Sequence, residues 1–192
     1  MTGIILAGGE SKRMGRNKAF IEIEGERIID RSVRIFHELF DEVMIVTNSP
    51  LDYVYLNVQV TTDLVPGKGS LGGLYTGMYL SRSPKAFFVS CDMPFLNKNI
   101  ISFFLDQAED ADLVVYHSEG YWEPLHAVYS KSFLKPFERL MKEGELKIIE
   151  AYKKMRIREI SKQDLLPFDP ELRGLININT PHDLETVLAL ST

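Results

Sequence analysis

Leu6-Ala-Gly-Gly-Glu-Ser-Lys-Arg-Met-Gly-Arg-Asn-Lys18 follows directly on the apolar run at residues 2–6, which reads as a buried first strand. The adjacent Gly8 and Gly9 permit backbone shapes that side chains resist. Lys12, Arg13, Arg16 and Lys18 load the same loop with fixed positive charge. A glycine-rich loop leaving a strand and carrying cations suits a polyphosphate, because amides approach closely while the cations neutralise oxygens. A solvated basic loop is the bland alternative, and the apolar Ala7 and Met14 weigh against it. The loop matches neither G-x-x-x-x-G-K-[ST] nor G-x-G-x-x-G, so neither the Walker geometry nor the usual dinucleotide turn applies.

The rest of the chain repeats the strand–loop pattern. Apolar residues recur at helical spacing over 28–40, after a short hairpin around Glu24-Gly25-Glu26. Strands are predicted at 42–47, 58–61, 86–90 and 112–116, with helices at 71–80 and 97–107 between them. That alternation implies a parallel sheet with helices on both faces. Ligands of such sheets sit beyond the carboxyl ends of the strands. The loops at Gly8, Asn48, Asp63 and Asp92 all leave predicted carboxyl ends. The second half is less regular: a strand-like segment at 121–129 marked by Pro124, helices at 131–142 and 146–153, a strand at 157–160, a loop at 165–173 and a strand at 174–178. Thr180 and Pro181 fit the N-cap and first position of a last helix, 182–190.

At 192 residues the chain fits one domain, 1–192. The net charge of −5 argues against a general nucleic-acid binder and makes the basic loop a local anion site. Cys91 is the sole cysteine, which excludes an intrachain disulfide. No apolar run is long enough to span a membrane. The chain enters a strand at once, so no secretory leader is expected and a cytoplasmic protein is.

Asp92 ends the apolar strand Ala86–Ser90 plus Cys91, at the edge where ligands gather. One carboxylate there suits a magnesium ion on nucleotide phosphates, which takes only one or two protein ligands; a turn aspartate before Pro94 is the alternative. Asp63 precedes Pro66-Gly-Lys-Gly-Ser-Leu-Gly-Gly73, a glycine-dense collar suited to a base or phosphate. Asn177 and Asn179 flank Ile178 and share one face if extended. His126 either lines a substrate pocket or sits in the core, the commoner fate of a lone histidine in an apolar strand.

Together these segments resemble the molybdenum cofactor guanylyltransferases of the nucleotidyltransferase superfamily. LAGGESKRMGRNK is similar to the superfamily loop LAGG-x-S-x-R-M-G-x-x-K, and Thr47-Asn48, Asp63, Cys91-Asp92-Met93-Pro94, EPLHAVY (123–129) and NINTPHDL (177–184) follow in family order. Ser70 departs from the proline of many relatives. The resemblance implies an α/β three-layer sandwich around a mostly parallel Rossmann-like sheet, of the nucleotidyltransferase (nucleotide-diphospho-sugar transferase) type. It implies GMP transfer from GTP to molybdenum-bound molybdopterin, with Mg2+ as cofactor on Asp92. Leu6, Ala7, Gly8, Gly9, Lys18, Asn48, Asp63 and Asp92 would then hold nucleotide, and Arg13, Lys18 and Asp92 would carry catalysis. His126, Asn177 and Asn179 would meet the acceptor. Other cofactor-biosynthesis or molybdoenzyme-maturation proteins are the implied partners. The rivals are a transferase using CTP or another phosphorylated acceptor, and a non-catalytic nucleotide-binding module.

Overall fold

The structure, a computed structural model, describes residues 1–8 and 17–191. Strand β1 (Thr2–Leu6) is buried along its whole length, the pattern of a parallel strand covered on both faces. After a short 3-10 turn at Lys18–Phe20, β2 (Glu22–Ile23) and β3 (Glu26–Arg27) form the expected hairpin, with Glu24 and Gly25 at positive φ. Then come α1 (Ile28–Leu39), β4 (Glu42–Val46), a 3-10 segment Pro50–Leu56, β5 (Gln59–Thr61), α2 (Gly69–Leu80), β6 (Lys85–Ser90) and α3 (Lys98–Asp106). The second half contains β7 (Leu113–Ser118), β8 (Tyr121–Ser130), α4 (Leu134–Glu143), β9 (Ile157–Ile160), the single-turn α5 (Lys162–Leu165) and α6 (Pro181–Leu190).

The main sheet has seven strands in the order β5-β4-β1-β6-β8-β7-β9. Every pairing is parallel except those of β8, which runs antiparallel to both β6 and β7. The reversal has a local cause. Only Glu119 and Gly120 separate β7 from β8, and both take positive φ, 52° and 81°; a two-residue turn of that shape makes a hairpin and cannot make a parallel crossover.

Alternation along the strands builds two cores. Ile5, Ile45, Phe87 and Val89 pack under α1 and α3, while Ile4, Leu6, Met44 and Phe88 pack under α2 and α4. A third, small cluster joins Ile21, Ile23 and Ile28 to Ile178, Leu184 and Val187. Three expectations change. The segment at 146–153 forms a 3-10 turn, Ile148–Tyr152; the loop at 165–173 is preceded by α5; and 174–178 makes no ladder, consisting of a 3-10 turn, Arg173–Leu175, and an extended strap. No helix among the described residues is long and apolar enough to cross a membrane.

Gly3 lets α1 lie close on β1. A Cβ there would come within 2.5 Å of Phe40 Cδ2 and 2.7 Å of Phe36 Cδ2, both on buried rings. Gly3→Ala is therefore expected to destabilise the fold by about 1–3 kcal/mol, the usual cost of overpacking, despite the better strand propensity of alanine. Urea unfolding midpoints check this; an unchanged midpoint would mean the rings have room to move.

Candidate active site

Parallel register brings the carboxyl ends of three strands side by side: Leu6 lies between Val46 and Ser90. The residues just beyond are tied together. Cys91 N–H donates to Leu6 C=O (3.0 Å), Thr47 Oγ1 to Ala7 C=O (3.0 Å), and Asn48 Nδ2 to Gly8 C=O (3.0 Å). Each carbonyl of residues 6–8 thus faces a protein donor, which keeps these negative dipoles engaged at the entrance to a site for an anion.

Above them opens a cleft of about 680 Å³, lined by Leu6, Ala7, Gly8, Asn17, Lys18, Asn48, Asp63, Cys91, Asp92, Leu125, Asn179 and the collar residues Gly67, Gly69, Ser70 and Gly73, among others. That size lies within the range of small-molecule sites. Lys18 Nζ stands 3.4 Å from Asp92 Oδ2 and donates to Asn179 Oδ1 at 3.1 Å. Both charged side chains are 16% exposed, so the pair is shielded but reachable. Asp92 Oδ1 is buried and has no hydrogen-bond partner among the described residues, a state that costs free energy unless a ligand meets it.

Local structure fixes each member. Asn17 caps the Lys18–Phe20 turn, its Oδ1 accepting from Ala19 N–H at 3.1 Å, while its Nδ2 donates to Tyr53 OH at 3.0 Å. Tyr53 is fully buried, and burial pushes its phenol up to about 12. The strap at 176–180 crosses the other side. Ile178 is fully buried and its N–H donates to Asp92 C=O at 2.9 Å. Thr180 then starts α6 with a capping box closed by Asp183. Asp63 is half-buried near Gly72 and Gly73, and burial holds its carboxyl above the usual range. Positive φ at Gly67 (76°) and Gly69 (56°) shapes the collar. Lys68 does not line the cleft: its Nζ donates to Met141 C=O at 3.0 Å and ties the collar to α4.

The structure thus gathers Leu6, Ala7, Gly8, Lys18, Asn48, Asp63, Asp92 and Asn179 in one cleft. Gly9 and Arg13 lie outside the described residues. Two residues expected on the acceptor side do not line this cleft. His126 does not line the cleft: strand alternation turns Leu125 toward it and His126 away, into full burial edge-on to Phe87 and Phe104. Asn177 is absent from the lining; its Nδ2 donates instead to Glu123 Oε2 at 3.0 Å. Sequence reasoning missed Asn17, which lines the cleft, and Tyr53, the buried side chain that braces it. An asparagine directly before the lysine was a capping signal, but nothing local announces a tyrosine 36 positions away.

A family model described as the MobA-like NTP transferase domain matches residues 3–156. The molybdenum cofactor guanylyltransferase of Desulfosudis oleivorans is 42% identical over 187 residues, covering 96% of this chain and 93% of the relative. Among solved structures, the molybdopterin-guanine dinucleotide biosynthesis protein A of Archaeoglobus fulgidus superposes with a TM-score of 0.86 at 24% identity, covering 99% of this chain and 98% of that one. The 2-C-methyl-D-erythritol 4-phosphate cytidylyltransferase of Thermus thermophilus does so at 0.71 and 12% identity, covering 97% and 96%. At such identities the superpositions speak for the fold alone, and a cytidylyltransferase among them shows that this fold does not by itself select the nucleotide.

Proposed function

The chain belongs to the MobA-like NTP transferase family, and we propose that it transfers GMP from GTP to the terminal phosphate of molybdenum-bound molybdopterin. The product is the guanine dinucleotide form of the cofactor, with pyrophosphate released. The observation that carries this reading is the Lys18–Asp92–Asn179 constellation in a nucleotide-sized cleft, with Asp92 Oδ1 left open.

An acceptor phosphate oxygen is already ionised at neutral pH, so its attack on the α-phosphorus of GTP needs no strong base. The new P–O bond forms as the bond to the β-phosphate oxygen breaks, and pyrophosphate carries away that electron pair. What the protein supplies is alignment and charge. Lys18 faces the phosphates and stabilises their developing charge; Arg13 is assigned the same task by its place in the loop. Leu6, Ala7, Gly8 and Gly9 present backbone to the triphosphate, with Asn48 bracing Gly8, and the Asp63 side of the collar takes the base. Asn179 orients Lys18 and faces the acceptor side.

Asp92 fits a divalent ion, for which we propose Mg2+. Its Oδ1, unpartnered among the described residues, would supply one ligand, and those residues hold no group of three or more histidine, cysteine, aspartate or glutamate side chains able to bind a metal. That donor set matches magnesium, which keeps waters and takes phosphate oxygens beside one or two carboxylates. When bound, the ion supplies Lewis-acid polarisation of the phosphate. The proposed location of the reaction is the cytoplasm.

The test is pyrophosphate release with molybdopterin and Mg2+, comparing GTP, CTP, ATP and UTP. Release is expected with GTP, dependent on molybdopterin and abolished by a chelator. Release with CTP alone would move the chain to cytidylyl transfer, and nucleotide binding without any release would make it a binding module.

A further inference from the structure

Glu123 is an unexpected residue for its position. It sits near the start of β8 at 5% exposure, beside Leu125, which lines the cleft. Among the described residues the donors to its carboxylate are neutral: Tyr121 OH (2.6 Å, to Oε2) and Leu125 N–H (3.2 Å, to Oε1) from its own strand, and Asn177 Nδ2 (3.0 Å, to Oε2) from the segment before α6. Burying a carboxylate among neutral partners costs stability that an apolar side chain would not. In return it accepts several donors at once, which neither leucine nor a single amide oxygen does as well.

Its backbone is also specialised. Val115 of β7 pairs with Ala127, but the next residue, Tyr116, pairs with Glu123, so a bulge displaces 124–126 from that ladder. Bulges of this kind re-aim side chains next to sites. This one is buttressed: Tyr129 OH donates to Pro124 C=O at 2.9 Å and meets Tyr152 OH at 3.0 Å, both tyrosines being buried.

The strap at 176–180 is anchored at three successive residues. Asn177 binds Glu123, Ile178 N–H binds Asp92 C=O, and Asn179 Oδ1 receives Lys18 Nζ. A shift at Asn177 therefore moves the acceptor atom that orients Lys18 against Asp92. We infer that Glu123 is a positioning residue: through Asn177 it sets the strap's register, and with it the placement of the Lys18 amine for nucleotidyl transfer. The catalytic part of this inference rests on the function proposed above; the mechanical part does not.

The experiment uses the full chain carrying Asn177→Ala, Asn177→Asp, Glu123→Gln and the pair Glu123→Gln with Asn177→Asp. Asn177→Asp sets two carboxylates face to face, whereas in the pair a glutamine amide donates to the aspartate. For Asn177→Ala and Asn177→Asp, amide exchange at Ile178 is expected to accelerate roughly tenfold and kcat to fall about tenfold with the KM for GTP little changed, the scale of one lost hydrogen bond to a charged group. The pair recovers both readouts to within about threefold of wild type, because the contact is restored with its polarity reversed. A purely structural role would lower the melting temperature without that recovery or the kcat-only loss. Wild-type exchange and turnover in Asn177→Ala, or a pair no better than Asn177→Asp, overturns the inference. If wild type itself releases no pyrophosphate, the functional reading fails, while Ile178 exchange still decides whether Glu123 holds the strap.

Discussion

Asp92→Ala should release pyrophosphate from GTP roughly a hundredfold more slowly than wild type, a loss of about 3 kcal/mol in transition-state stabilisation. The expectation follows from the state of the carboxylate. One oxygen is 3.4 Å from Lys18 Nζ and the other is buried without a hydrogen-bond partner among the described residues. A group left that way contributes little to folding, since the unmet oxygen is itself a cost. Denaturation midpoints of the variant should therefore stay within about 0.5 kcal/mol of wild type or rise slightly. Activity and stability separate, which distinguishes a catalytic carboxylate from a turn residue. Asp92→Asn keeps the shape and removes the charge, so it should lose turnover to a similar extent, and added Mg2+ should not restore it. Steady-state kinetics with the four nucleotides, beside urea melts, checks both statements. Turnover within threefold of wild type in Asp92→Ala would remove Asp92 from the proposed chemistry.

His126 should dominate a different measurement, the loss of stability in acid. Its ring is fully buried, edge-on to Phe87 and Phe104 at 5.0 Å each, and neither nitrogen has a hydrogen-bond partner among the described residues. Burial disfavours the charged form and pushes its pKa down from 6.5 to about 4. The sign follows from which state binds the proton first. Between pH 6.5 and about 4 the unfolded chain protonates this histidine while the folded chain does not, so stability falls with falling pH and the loss levels off below about 4. The full difference is about 3 kcal/mol. His126→Leu removes the titration and the two unmet nitrogens together. Its urea midpoint should match or exceed wild type at pH 7 and exceed it by a growing margin toward pH 4. Parallel pH profiles for the two proteins would show that the ring takes up its proton inside the fold.

The two histidine readings left open by the sequence show where its information ends. His126 lies in an apolar strand covered on both faces, and in such a strand hydropathy does not tell one face from the other. Only the pairing of β8 against β6, with Val89 opposite His126, settles which way the ring points. The same limit explains β8's direction. Strand composition at 121–129 is visible, but its antiparallel placement between β6 and β7 depends on a two-residue turn and on which neighbours remain to pair.

What the sequence by itself determined is the frame of the site. Apolar runs bounded by glycine, asparagine and aspartate predict strands whose carboxyl ends carry Gly8, Asn48 and Asp92, and a parallel sheet places such ends along one edge whatever the details of packing. Contacts made by chain segments far apart were decided by the tertiary structure alone. Lys18 meets Asn179 across 161 positions, and Asn177 turns to Glu123 across 54. Asn177 and Asn179 are the same residue type on the same short strap, yet one reaches the cleft and the other braces it. The physical reason is that a hydrogen bond is short and directional while sequence periodicity reports only which face a residue occupies. Periodicity can bring a side chain to the correct face of the molecule; only the packed fold chooses its partner there.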